Sequence, residues 1–182
     1  PEPEAAADAL LVRFGDLPHV VGASLPELAQ VVGTEASVEL KLLYEFAGRL
    51  LAEPLARRSV LSSWSAVADY LRVRLAGEPR EQFRVLFLDR KNALIADEVM
   101  GHGTVDHAPV YPREVVRRAL ELNASALVLA HNHPSGDPTP SSADIEMTRQ
   151  VVDAARALKI AVHDHLVVGG DQAVSLKGLG LM

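Results

Sequence analysis

Two histidines one residue apart, His131 and His133, close an apolar run, and a seven-residue loop separates them from Ser141 and Asp144. Strand side chains two apart share a face, so the two imidazoles project together. An aspartate arriving from the next helix then completes a set of three ligands on one side of an ion. Two imidazoles and one carboxylate leave a fourth position open for water, the donor set expected of a catalytic zinc site. Such an ion lowers the pKa of its water to about 7, making hydroxide available at neutral pH. Each part also has a plainer reading. Histidines two apart arise by chance, and Ser141-x-x-Asp144 spells a helix capping box with no chemistry attached. Those plainer readings do not ask for the parts to occur together. A second His-x-His, His163 and His165, lacks the loop and the Ser-x-x-Asp sequel and reads as structural.

The elements that must position these side chains interleave from Val60 onward. Ser62 or Ser63 is placed to cap a helix whose Trp64, Val67, Ala68, Leu71 and Leu75 form one apolar stripe, closing at Gly77. Strands are predicted over 82–89 and 93–100, paired as a hairpin about an Asp89–Asn92 turn. Pro112 suits the first turn of a helix bearing Val115, Val116, Ala119 and Leu120. A strand over 126–133 then stops at Pro134, and a helix follows from about 142 to 158. Strands at 160–168 and 172–176 close the chain around Gly169-Gly170-Asp171. Interleaved strands and helices imply an α/β fold, a mixed sheet with helices on its faces.

Residues 1–58 read instead as a small helical domain, followed by the 59–182 domain that holds the chemistry. Ser24 is the expected N-cap of a helix entering at Pro26 and Glu27. A longer helix is predicted from about Glu35 to Leu51, because Val38, Leu42, Leu43, Phe46, Leu50 and Leu51 keep helical spacing. The stretch from Ala52 to Arg58 is expected to end it and to act as a linker.

Composition narrows the function. The chain has 182 residues, 48% hydrophobic, with a net charge of −6 and no cysteine. A packed core is therefore expected, while thiolate ligands, disulfides and cysteine nucleophiles are excluded; the setting that fits is a reducing cytoplasm. No apolar run approaches the roughly 18 residues of a membrane span. An acidic chain argues against a dedicated phosphate-binding module, and the pairs Arg57-Arg58 and Arg117-Arg118 suit solvated helix faces. Because the first residue is Pro1, a processed or truncated chain is expected. A zinc nucleobase deaminase would need Pro-Cys-x-x-Cys. The letters His-Asn-His lack the longer ββα unit of an HNH nuclease. Around Ser135 the sequence reads as a turn, not as the elbow of a serine hydrolase.

His131-x-His133, seven residues, then Ser141-x-x-Asp144 resembles the JAMM motif of the MPN-plus metalloproteases at every position. The surrounding words resemble the RadC family in particular: Phe87-Leu88-Asp89 with Asn92, Gly103-Thr104, Pro112-Arg113-Glu114, Ala130 to Asp137, and Asp164-His165-Leu166. The likeness covers about Val60 to Met182. It implies a cytidine-deaminase-like α/β/α fold with zinc held by His131, His133, Asp144 and water. It also implies that Ser141 steadies an oxyanion and that an upstream glutamate exchanges protons with water and leaving amine. Glu81, before the first strand, has the expected placement; Glu98, Glu114 and Glu78 are the other candidates. The activity implied is cleavage of an amide or isopeptide bond in a protein or peptide. The alternative is a DNA-associated accessory protein whose metal site is structural. In relatives the region before this domain resembles a helix-hairpin-helix module, and Leu28 to Glu35 follows that outline. Glu35, however, stands where a second glycine would approach phosphate, which favours a structural or protein-contact role.

Overall fold

The computed structural model describes residues 2–75, 77–103 and 110–182, so Thr104 of the Gly103-Thr104 pair lies outside the described residues. Four helices come first: α1 (Pro3–Phe14), α2 (Leu17–Gly22), α3 (Leu25–Val32) and α4 (Thr34–Arg57). Each start has a local cause. Proline occupies the first turn of α1, α2 and α3, where a missing N–H costs nothing. Asp16 accepts from the His19 N–H at 2.9 Å, and Glu27 accepts from the N–H and hydroxyl of Ser24. Gly33, at φ +83°, reverses the chain between α3 and α4. Leu10, Val20, Ala23, Leu28 and Val32 form a small core among these helices.

Helix α4 differs from expectation in two ways. It does not end at Leu51 but runs to Arg57, through Pro54 and across the stretch expected to be a linker. A proline inside a helix costs about 3 kcal/mol in the interior and less near an end. Here the next residue, Leu55, is buried against Val60, Val67 and Leu71, with Leu51 and Ala52 packed alongside. Burying one such side chain is worth about 1.5–3 kcal/mol, so tertiary packing carries the helix past its breaker. The second difference is the face. Leu42, Leu43, Phe46 and Leu50 are 59–68% exposed, whereas the inward side holds Ser37, Tyr44, Gly48 and Leu55. That inward side docks by polar contacts at close range. Lys41 donates to the Val21 carbonyl at 2.6 Å, Tyr44 to that of Val73 at 2.7 Å, and Arg74 to Glu45 at 2.9 Å.

After a 3-10 turn at Val60–Ser62 come α5 (Trp64–Leu75), β1 (Gln82–Leu88), β2 (Leu94–His102), α6 (Pro112–Glu121), β3 (Ala126–Asn132), α7 (Ser142–Ala157), β4 (Ala161–Gly169) and β5 (Gln172–Ser175). The strands order as β2-β1-β3-β4-β5, antiparallel except for the β3–β4 pair. Every residue of β1 and β3 is buried because helices cover both faces of the sheet. Leu86, Leu88, Val128, Ala130 and Leu166 pack on α5; Phe83, Val85, Phe87, Leu127 and Leu129 pack on α6 and α7. This is the mixed sheet between helices that the alternating sequence pattern predicts.

The helical region meets the sheet domain where two backbones nearly touch. A Cβ on Gly22 would stand 1.9 Å from the Gly77 carbonyl oxygen, and one on Gly77 would stand 1.7 Å from that of Pro18. Only glycine permits this approach, and Gly77 also sits at φ +81°. Among the described residues no helix is long and apolar enough to cross a membrane.

Candidate metal centre

Parallel strands β3 and β4 end on the same side of the sheet, and the loop after β3 returns the chain to the N-terminus of α7. Strand β1 runs antiparallel to β3 with Phe83 opposite His131. Carried two residues back, that register brings Glu81 level with His133 and on the same face. Two carboxylates and two imidazoles thus meet at one sheet end: Glu81, His131, His133 and Asp144 each offer one atom, all within 4.8 Å of one another. Of the four glutamates considered, Glu81 alone is in this group. Glu98 pairs with Arg118 across β2 and α6, and Glu114 pairs with Arg117 on the surface. Glu78 meets Asn132 only through its main-chain carbonyl.

The geometry suits an ion. Ligand atoms about 2.0–2.2 Å from a tetrahedral ion stand about 3.3–3.6 Å apart. His131 Nε2 lies 3.4 Å from Asp144 Oδ1, and His133 Nε2 lies 3.4 Å from Asp144 Oδ2. The two Nε2 atoms are 2.9 Å apart, slightly closer than that spacing. Glu81 Oε1 stands further off, 3.9 Å from His131 Nε2. His131, Glu81 and Asp144 are buried, and His133 is partly exposed.

Both readings of Ser141 and Asp144 hold in this structure. Asp144 Oδ2 accepts from the Ser141 N–H at 2.7 Å and hydroxyl at 2.6 Å, while the Ser141 hydroxyl accepts from the Asp144 N–H at 3.2 Å. The capping box therefore fixes the rotamer that sets Oδ1 beside His131 and Oδ2 beside His133. Burial alone would raise the Asp144 carboxyl, but hydrogen bonds from His131 and His133 outweigh it and hold it well below the usual carboxylate range. The same hydrogen bond raises His133 above its ordinary value against the opposing effect of burial.

Three residues that sequence reasoning did not assign to the site support it. The Asn132 side chain points away from the histidines and clamps the segment carrying Glu81. It accepts from the Gln82 N–H at 2.8 Å and donates to the carbonyls of Glu78 and Arg80. His165, read as structural with His163, lies directly behind His131, its Nε2 2.8 Å from His131 Nδ1. Thr148, one turn beyond Asp144 on α7, contacts His165 Nδ1 at 2.6 Å. The i, i+4 spacing of Asp144 and Thr148 was the one available signal. His163 goes elsewhere: a bulge opposite Leu127 and Val128 breaks the alternation of β4, and His163 Nε2 meets Asn92 at 2.7 Å.

Beside His133 opens a cleft of about 480 Å³, walled by Pro134, Ser135 and Gly136 on one side and by Pro18 and His19 of α2 on the other. Residues 61–181 match the family model described as the RadC-like JAB domain. A protein of Rhodobacter capsulatus described as UPF0758 protein is 56% identical over 175 residues, which cover 95% of this chain and 82% of that one.

Proposed function

Because the chain belongs to the RadC-like JAB domain family, we propose that it is a zinc-dependent hydrolase cleaving an amide or isopeptide bond of a protein or peptide. One observation supports this above the others. Two imidazole nitrogens and a carboxylate converge at ligand spacing, with a further carboxylate, Glu81, alongside and uncommitted to any ion pair with Lys or Arg among the described residues. When bound, zinc supplies Lewis acidity that brings the pKa of a ligating water to about 7. The chain's own groups do the rest. Glu81 takes a proton from water at its carboxylate and returns it to the departing amine, a role worth roughly 10²–10⁴-fold in rate. The Ser141 hydroxyl turns from Asp144 to donate to the oxygen of the scissile carbonyl. Its main-chain N–H keeps Asp144 in place meanwhile.

Protein prepared without chelator is expected to carry one zinc per chain by elemental analysis. It is also expected to cleave members of a panel of peptide and isopeptide substrates, with activity removed by chelation and restored by zinc. Absence of zinc uptake when the metal is supplied would end this reading. DNA binding that persists at physiological salt, without a metal requirement, would favour the DNA-associated role instead.

Metal binding also has a pH signature. The raised pKa of metal-free His133 contributes stability that is present below about 6.5, the unfolded value, and is lost as pH rises through the folded value. The metal requires the neutral ring, so proton and ion compete. The gap in melting temperature between zinc-loaded and chelated protein is therefore expected to widen between about pH 5.5 and about pH 8. Thermal unfolding followed at both values measures it, and a gap that narrows would show that His133 is not a ligand.

A further inference from the structure

A chain of hydrogen bonds behind the centre has only one consistent polarity. The Thr148 hydroxyl lies 2.5 Å from the main-chain carbonyl of Asp144, and a carbonyl can only accept, so the single hydroxyl proton is spent there. The 2.6 Å contact between Thr148 Oγ1 and His165 Nδ1 then needs a proton on Nδ1. His165 is wholly buried, and Phe83 stands edge-on to it with ring centroids 5.5 Å apart. A buried ring without an anionic partner is neutral and carries one N–H. Its Nε2 is therefore a lone pair, and the 2.8 Å contact to His131 requires His131 Nδ1–H to donate. His133 is fixed from its other side, where Nδ1–H donates to the Asp137 carbonyl at 2.8 Å.

We propose that Thr148 and His165 are positioning residues that lock His131 in the Nδ1–H tautomer, so that its Nε2 lone pair faces the ion. This inference rests on the reading of His131 as a metal ligand. The chain closes a ring, since its far end is the main chain of Asp144, which joins two ligands from different elements. Its product is a His131 Nε2 lone pair turned toward His133 Nε2, 2.9 Å away, and toward the Asp144 carboxylate, the side on which the ion would stand.

The test uses the full chain and two measurements. In metal-free protein with ¹⁵N-labelled histidine, the ring-nitrogen shifts of His131 are expected to report Nδ1–H; an Nε2–H tautomer would overturn the proposal whether or not zinc binds. Zinc affinity is then measured by competition with a chromophoric chelator. His165→Leu removes the acceptor and is expected to weaken binding about 10–100-fold, the usual worth of such a partner. His165→Gln places an oxygen near the lost Nε2 and is expected to restore most of the affinity, which a purely space-filling role would not predict. Thr148→Val keeps volume and is expected to weaken binding less than His165→Leu, without adding to it in the double variant. Unchanged affinity in a folded His165→Leu would refute the inference. If that variant does not fold, Thr148→Val and the tautomer measurement decide. If wild-type protein binds no zinc, the metal reading falls, and the tautomer still judges the hydrogen-bond ring.

Discussion

Glu81→Gln is expected to keep its zinc and to lose roughly 10²–10⁴-fold in turnover, while Asp144→Asn loses the metal itself. The two carboxylates stand in different relations to the same pair of histidines. Asp144 reaches both Nε2 atoms at 3.4 Å and is held there by the capping box. An amide in its place is neutral and a poorer donor to a cation, so affinity falls. Glu81 stands 3.9 Å from His131 and reaches its position through β1, not through the ligand loop. Its amide counterpart has nearly the same shape and can still hydrogen-bond water, but it cannot accept a proton. Metal content by elemental analysis and turnover on a cleavable peptide separate the two roles. If Glu81→Gln emptied the site, Glu81 would be a ligand and the proton would need another carrier.

Gly77→Ala is expected to lower stability by roughly 2–5 kcal/mol, combining overpacking with strain at positive φ. A methyl group there meets the Pro18 carbonyl at 1.7 Å, and the obstacle is backbone, which cannot escape by changing rotamer. For a chain of this size that corresponds to a fall in melting temperature of about 4–20 °C. Gly33→Ala is the matched control: its φ is +83°, but nothing lies within 4 Å of the added atom. It bears only the conformational cost, about 1–3 kcal/mol at φ +83° and ψ 164°. The Gly77 variant should also speed amide hydrogen exchange in α2 selectively while zinc content is retained, since the proposed ligands lie at the end of β3 and on α7. Equal melting temperatures for the two variants would mean that α2 does not press on the 77–78 turn as it does here.

The grouping of three of the four candidate residues was legible in the sequence because they are local. His131, His133 and Asp144 fall within fourteen residues, so strand periodicity, a loop and a cap suffice to place them. Glu81 was harder, since its selection over Glu98, Glu114 and Glu78 depends on the register of β1 against β3. His165, Thr148 and Asn132 were beyond reach. Their roles follow from β4 lying parallel beside β3 with one bulge, and from the side chains of α7 falling over that pair. In α4 the apolar spacing foretold a helix but did not say which side packs. Between the apolar contacts at its two ends, the side that packs holds a glycine, a serine, and a tyrosine and a lysine that donate to carbonyl groups, and hydrophobic spacing is blind to that kind of contact.

The way the centre draws on the chain also sets an order of events during folding. Its three proposed ligands and His165 come from one β–α–β unit of consecutive segments, β3, α7 and β4. Glu81 lies fifty residues before His131, and its approach waits for antiparallel pairing of β1. Closing a loop costs more as it lengthens, about 0.6 kcal/mol for each doubling, so the ligand contacts have the lower entropic barrier. An ion can therefore be captured by a nascent unit and hold it together before the proton carrier arrives. Metal would then accelerate the early phase of refolding, and the capacity for turnover would appear in a later, metal-independent phase.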